Sequence, residues 1–136
     1  MTSTTTRLLG ERWLLKEAVD DQGGMSQVFR AFDTDGGHGV VAAKLLPLHL
    51  QRDEWKLKAF ELEWQARRAT LDHPHIVPLL DRGREEGSDV PYLIFPWAGT
   101  SLSRLLAGQG AVAWEDWWQR YGRPTLDALT HVHLRD

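Results

Sequence analysis

Two glycine-bearing turn signals break the first third of the sequence into three short apolar segments, and a chain punctuated this way can pair antiparallel strands but cannot build a long helix. The turns are Asp20-Asp21-Gln22-Gly23-Gly24-Met25-Ser26 and Asp33-Thr34-Asp35-Gly36-Gly37. The segments between and around them are residues 12–19, 27–33 and 39–46. In the second segment Val28 and Phe32 fall on one face, and Phe29 and Ala31 on the other. The third, GVVAAKLL, is apolar on both faces except for Lys44. A three-strand antiparallel meander is therefore expected.

At residue 53 the period changes from two to 3.6, which predicts a helix over residues 53–69. Glu54, Lys58, Glu61, Gln65 and Arg68 share a polar arc. Trp55, Ala59, Leu62 and Ala66 form one apolar strip, and Leu57, Phe60 and Trp64 another. Glu63 projects between the two strips, roughly opposite the polar arc. An ionised carboxylate in that position needs a cationic partner, because a buried unpaired one costs several kcal/mol or loses its charge.

The chain then returns to strand character at residues 76–81 and 91–95, separated by a polar turn over residues 82–89. Pro96-Trp97-Ala98-Gly99-Thr100 reads as a linker, since proline cannot continue a central strand. Residues 101–107 and 114–133 read as helices, the second kinked or restarted at Pro124. The Thr- and Ser-rich start has neither an apolar signal core nor folding propensity, so residues 1–11 are expected to be disordered. Composition narrows the function classes. The 136 residues carry a net charge of −3 with no sustained basic block, which argues against nucleic acid or an anionic membrane surface as a partner. No apolar run is long enough to span a bilayer. With no cysteine there is neither a disulfide framework nor a thiolate metal site, and a reducing cytoplasm fits. His73 with His75, and His131 with His133, lack a third ligand at suitable spacing, so no metal site is expected. Of seven tryptophans, Trp114, Trp117 and Trp118 fall together at helical spacing, a surface that should be covered by something.

A glycine-rich turn between two strands, a lone strand lysine and an inward glutamate on the next helix together suggest a site for nucleotide phosphates. Backbone N–H groups approach the oxygens, the lysine supplies charge, and the glutamate holds the lysine. In this arrangement the sequence resembles the protein kinase family, most closely the bacterial eukaryotic-like Ser/Thr kinases. The motifs are Gly23-Gly24-Met25-Ser26-Gln27-Val28, Val41-Ala42-Ala43-Lys44, Glu63, His73-Pro74-His75-Ile76-Val77, Tyr92-Leu93-Ile94-Phe95-Pro96-Trp97-Ala98, and the helix end Leu126-Asp127-Ala128-Leu129-Thr130-His131-Val132-His133. The resemblance implies an α+β fold: a small lobe with a five-stranded antiparallel sheet and one major helix over residues 12–95, a hinge at 96–100, and the first two helices of an incomplete large lobe at 101–136.

It also implies roles. Lys44 contacts the α and β phosphates of ATP and pairs with Glu63; the turn residues Asp21, Gly23, Gly24 and Ser26 cover the phosphates. Val28 and Ala42 cover the adenine ring, and Phe95 is the gatekeeper. The Pro96 C=O and the Ala98 N–H meet the adenine edge. Two positions depart from the G-x-G-x-x-G pattern: Asp21 stands at the first glycine and Ser26 at the third. Asp21 sets a negative charge near the triphosphate, unfavourable by ~1 kcal/mol at a partly solvated site. His133-Leu134-Arg135-Asp136 is not read as the catalytic H-R-D, because residues 126–133 already fill the preceding helix end. The chain contains no D-F-G and no A-P-E segment, so Mg is expected only in a complete domain and the fragment is expected to be inactive alone. The implied parent activity is phosphoryl transfer from ATP to protein Ser/Thr. The alternatives are a pseudokinase-type or truncated module that binds a protein partner, with the missing large lobe or that partner covering the Trp surface, and a small-molecule phosphotransferase.

Overall fold

A computed structural model describes residues 6–19, 26–68, 73–99 and 102–134. The chain divides into two compact units, Met1–Ala69 with Pro78–Trp97, and Thr70–Val77 with Ala98–Asp136. The segment 73–77, expected within the small lobe, thus belongs to the second unit.

The first unit is an antiparallel sheet with one long helix. Its strands are β1 (Leu8–Leu9), β2 (Trp13–Ala18), β3 (Gln27–Asp33), β4 (Val40–Leu45), β5 (Asp81–Arg84) and β6 (Pro91–Pro96), in the spatial order β1-β2-β3-β4-β6-β5. The helices are α1 (Leu48–Gln51) and α2 (Glu54–Arg68). Alternation decides which side chains go where. Val41, Ala43 and Leu45 of β4 point to one face, where they bury with Leu9, Trp13, Ala31, Tyr92 and Ile94. Leu93 and Phe95 of β6 point to the other, where they pack with Leu46 and with Phe60, Leu57 and Trp64 of α2. Strand β6 is covered on both faces, so its run Tyr92-Leu93-Ile94-Phe95 is buried throughout.

The β3–β4 hairpin is organised by a single carboxylate. Asp33 accepts a bidentate pair from Arg12, at 2.8 and 3.0 Å, and the backbone N–H groups of Asp35 and His38 at 3.0 and 2.9 Å. The Arg12 guanidinium and those two N–H groups hold its carboxyl well below the usual carboxylate range. Gly36 and Gly39 take φ of +81° and +64°, which is why the turn needs glycine there. At the start of α2 the Asp53 carboxylate accepts the N–H groups of Trp55 and Lys56, capping the helix.

The structure departs from expectation at three further places. Residues 7–9, assigned to a disordered N-terminus, are ordered by pairing. Arg7 donates to both Glu85 oxygens at 2.9 and 2.8 Å, Leu9 is fully buried, and β1 becomes a sixth strand beside the five expected. The fourth expected strand starts at Asp81 and runs to Arg84 rather than occupying 76–81, since Pro78 offers no N–H to a ladder. Of the two apolar strips on α2 only Leu57-Phe60-Trp64 packs on the sheet; Trp55 is 80% and Leu62 52% exposed. The Ala66 and Arg68 side chains lie outside the described residues. The C-terminal helix changes type just before Pro124, which falls in the first turn of the segment that restarts there, as expected. It runs from α4 (Trp114–Trp117) through a π-helical turn (Trp118–Gly122) into α5 (Arg123–His133). Widening the helix by one residue just before Pro124 accommodates the missing N–H within a continuous backbone.

The second unit also contains α3 (Leu102–Gln109). Trp114 stacks on Trp117 and Trp118 with ring centroids 5.4 and 6.2 Å apart, and is itself 72% exposed. His73 packs against His131 at 5.0 Å.

Candidate functional site

Register on the central strands gathers the predicted residues of the first unit. Lys44 lies between Val28 on β3 and Leu93 on β6, and Ala42 lies beside Phe95. Because side chains two apart share a face, Ala42 and Lys44 stand on the same side of β4, the side on which α2 packs. The helix brings Glu63 to the lysine: Nζ donates to Oε2 at 2.6 Å. The lysine and glutamate side chains are 27% and 25% exposed, so the pair is sheltered but still reached by solvent.

That geometry leaves the ammonium with chemical capacity. Lys44 has three N–H donors, and the Glu63 carboxylate takes one. The others can meet a second anion, which Glu63 holds the lysine ready to receive. The pair can thus take up a second anion. Ala42 adds only a methyl group to the same face, beside Phe95, which is buried.

Not all of the expected site residues fall among the described residues of this unit. Asp21, Gly23 and Gly24 of the turn lie outside the described residues; Ser26, half-buried, immediately precedes β3. Pro96 ends β6 opposite Val41, and Ala98 belongs to the second unit, where it is exposed. Thr100, Arg135 and Asp136 also lie outside the described residues. Leu93 was missed by sequence reasoning: it flanks Lys44 and fills the space under α2, but a leucine inside an apolar run carries no signal of its own. Among the described residues, no group of three His, Asp or Glu side chains is arranged to hold a metal ion, and no helix is long and apolar enough to cross a membrane.

No protein-family model matches the chain. Among curated proteins, it is 37% identical over 108 residues to the probable serine/threonine-protein kinase PknB of Corynebacterium glutamicum, and 34% identical over 113 residues to serine/threonine-protein kinase PknB of Mycolicibacterium smegmatis. These matches take in 77% and 81% of the chain but 16% and 18% of the relatives, so the chain spans under a fifth of their length. Among solved structures, the Mycobacterium tuberculosis PknI kinase domain superposes with a TM-score of 0.72 at 18% identity, over 98% of this chain and 52% of that one. A point mutant of the same domain gives 0.71 at 20% identity, over 99% and 53%. The fold is that of a kinase small lobe followed by the start of a large lobe, and the homologues of the chain are bacterial Ser/Thr protein kinases.

Proposed function

We propose that the chain is the ATP-binding portion of a protein Ser/Thr kinase domain. The observation that carries this reading is the Lys44–Glu63 pair on the face shared with Ala42 and Leu93. In the proposal Lys44 takes the α and β phosphates. Val28 and Ala42 enclose the adenine with Phe95 as gatekeeper, and the Pro96 C=O and Ala98 N–H meet its edge. The turn of Asp21, Gly23, Gly24 and Ser26 lies over the phosphates. Bound ATP would supply the transferable phosphoryl group. The residues that hold Mg and accept the substrate proton in a kinase are not found in these 136 residues, so the chain alone transfers nothing. A protein acceptor is favoured over a small molecule because the sequence relatives are named serine/threonine-protein kinases. Use of ATP, with a cysteine-free composition, suits the cytoplasm.

The test is calorimetric titration of ATP, with and without Mg, into the chain and into Lys44→Ala. Binding that weakens by about tenfold or more in the variant supports the reading. Equal affinity, with both proteins folded, refutes the phosphate role. A pseudokinase-type module that binds a protein partner is the second reading. It is favoured by Asp21, whose charge opposes a triphosphate. It predicts that the native chain shows no ATP affinity and that Asp21→Gly restores some of it.

A further inference from the structure

Residues 73–77 lead from α2 toward β5 but pack within the second unit, where they and α5 line a cavity of about 380 Å³. Imidazoles gather there. The His73 ring centroid lies 5.5 Å from that of His75 and 5.0 Å from that of His131 on α5. The turn that presents His73 closes on two hydrogen bonds. The Ile76 N–H donates to the His73 C=O at 3.1 Å, and the His75 N–H donates to Nδ1 of the His73 ring, also at 3.1 Å.

The second bond fixes the state of the ring. A ring nitrogen that accepts a backbone N–H carries no proton, so Nδ1 is bare and the neutral imidazole holds its proton at Nε2. A further proton has only Nδ1 to enter, the position at which a backbone N–H already points. Donor then meets donor, and the turn cannot keep both.

The surroundings reinforce this. Among the described residues, the titratable groups that line the cavity with His73 are His75 on the same turn, and Asp127 and His131 on α5. Two of the three are imidazoles, and an imidazole that takes up a proton repels a charged neighbour about 5 Å away. Asp127 offsets charge, but a carboxylate on α5 leaves the two donors at Nδ1 facing each other. The Thr130 hydroxyl is engaged with the Leu126 C=O at 2.9 Å. We propose that the turn at His73 is a pH-operated latch: with Nδ1 bare the turn closes and sets segment 73–77 on α5, and a proton on Nδ1 opens the turn and frees the segment.

The opened turn binds one more proton than the closed one. Closure is therefore complete above the range where free imidazole titrates, about pH 6.5, and is lost as pH falls below it. For one proton taken up by the opened form alone, the balance between the forms shifts by up to about thirtyfold between about pH 8 and about pH 5.

The test is NMR on the whole isotope-labelled chain. Long-range proton–nitrogen spectra of the imidazoles at about pH 8 should show His73 bare at Nδ1 and protonated at Nε2. On lowering to about pH 5, solvent exchange of the His75 and Ile76 amides, each referred to an unstructured peptide at the same pH, should speed up by about tenfold or more. Ring contacts between His73 and His131 should fade with it. His73→Asn is the control. Its side-chain oxygen can accept the N–H two residues on and takes no proton in this range, so exchange should stay slow at both pH values. Circular dichroism checks that the variant folds, and the measurements on the native chain stand without it. A proton on Nδ1 at about pH 8, amide exchange unchanged down to about pH 5, or ring contacts that persist there would each overturn the proposal. So would an equal loss of protection in His73→Asn, which would pass the trigger to another group on the cavity.

Discussion

Changing Lys44 to Met and Glu63 to Gln, singly and together, measures the contact on which the proposed nucleotide site rests. Methionine keeps most of the lysine stem against Leu93, and glutamine keeps the length of the glutamate, so each single change removes charge with little change of volume. The pair bonds at 2.6 Å with each side chain about three-quarters covered. It therefore stands between an exposed ion pair, worth ~0–1 kcal/mol, and a fully buried one, whose severing costs ~3–5 kcal/mol. A coupling of ~1–2 kcal/mol follows from that intermediate burial and the charge-assisted bond. Lys44→Met should cost more than Glu63→Gln, because it leaves the largely covered Glu63 carboxylate without its cation, whereas the glutamine oxygen can still accept from the ammonium. Urea unfolding followed by circular dichroism supplies the four free energies of the cycle. Salt sharpens the test: a contact this sheltered should keep most of its coupling in ~0.5 M NaCl, while an exposed one fades within about one Debye length. A coupling under ~0.3 kcal/mol, or one that salt erases, would mean that the helix phase brings the two groups together without binding them. The inference from Glu63 to a positioned Lys44 would then fail.

Gly83→Ala would put a Cβ 2.5 Å from the Tyr92 hydroxyl and 2.8 Å from its Cζ, so stability should fall by ~1–3 kcal/mol, partly relieved in Tyr92→Phe; an unchanged urea midpoint would show that the ring moves aside freely. Asp33 has a folded pKa below its unfolded one, so its stabilisation is complete above the ordinary aspartate pKa of ~3.9 and is lost as pH falls through that value toward the folded one. Urea midpoints taken from about pH 6 down to about pH 3 should therefore drop more steeply for the native chain than for Asp33→Asn; parallel slopes would refute the assignment. Trp114→Lys should leave the unfolding free energy within ~0.5 kcal/mol, because the indole is mostly exposed, while lowering self-association seen by light scattering; a large loss of stability would mean that the stack on Trp117 supports the fold.

Much of the first unit was legible because its signals are local. The β3–β4 hairpin announced itself through Gly36 and the alternation on either side, and β6 through an apolar run of the length of a strand. What stayed hidden depends on partners distant in sequence. Leu8 and Leu9 have no strand signal of their own; β1 forms because Arg7 finds Glu85, seventy-eight residues away, and Leu9 finds the core. The two strips of α2 are equally apolar, and only the placement of Leu46, Leu79 and Ala42 beneath the helix selects Leu57-Phe60-Trp64 for burial. Asp33 read as a turn residue, which it is, but its bidentate partner twenty-one residues upstream could not be inferred from turn chemistry.

Separation along the chain does not by itself explain the difference. Lys44 and Glu63 are nineteen residues apart, about as far as Asp33 is from Arg12, yet their pairing could be predicted. Each breaks its own local pattern, a cation in a strand apolar on both faces and a carboxylate between two apolar strips, and two such violations of opposite sign on neighbouring elements have few ways of being satisfied except by each other. Arg82 and Trp64 are eighteen residues apart and stack just as closely, but an arginine in a polar turn and a tryptophan on an apolar strip violate nothing. Local anomaly thus marks the groups that must find partners inside the chain. The contact of Arg82 with Trp64 answers no such anomaly and becomes visible only once the fold has set the cation over the indole.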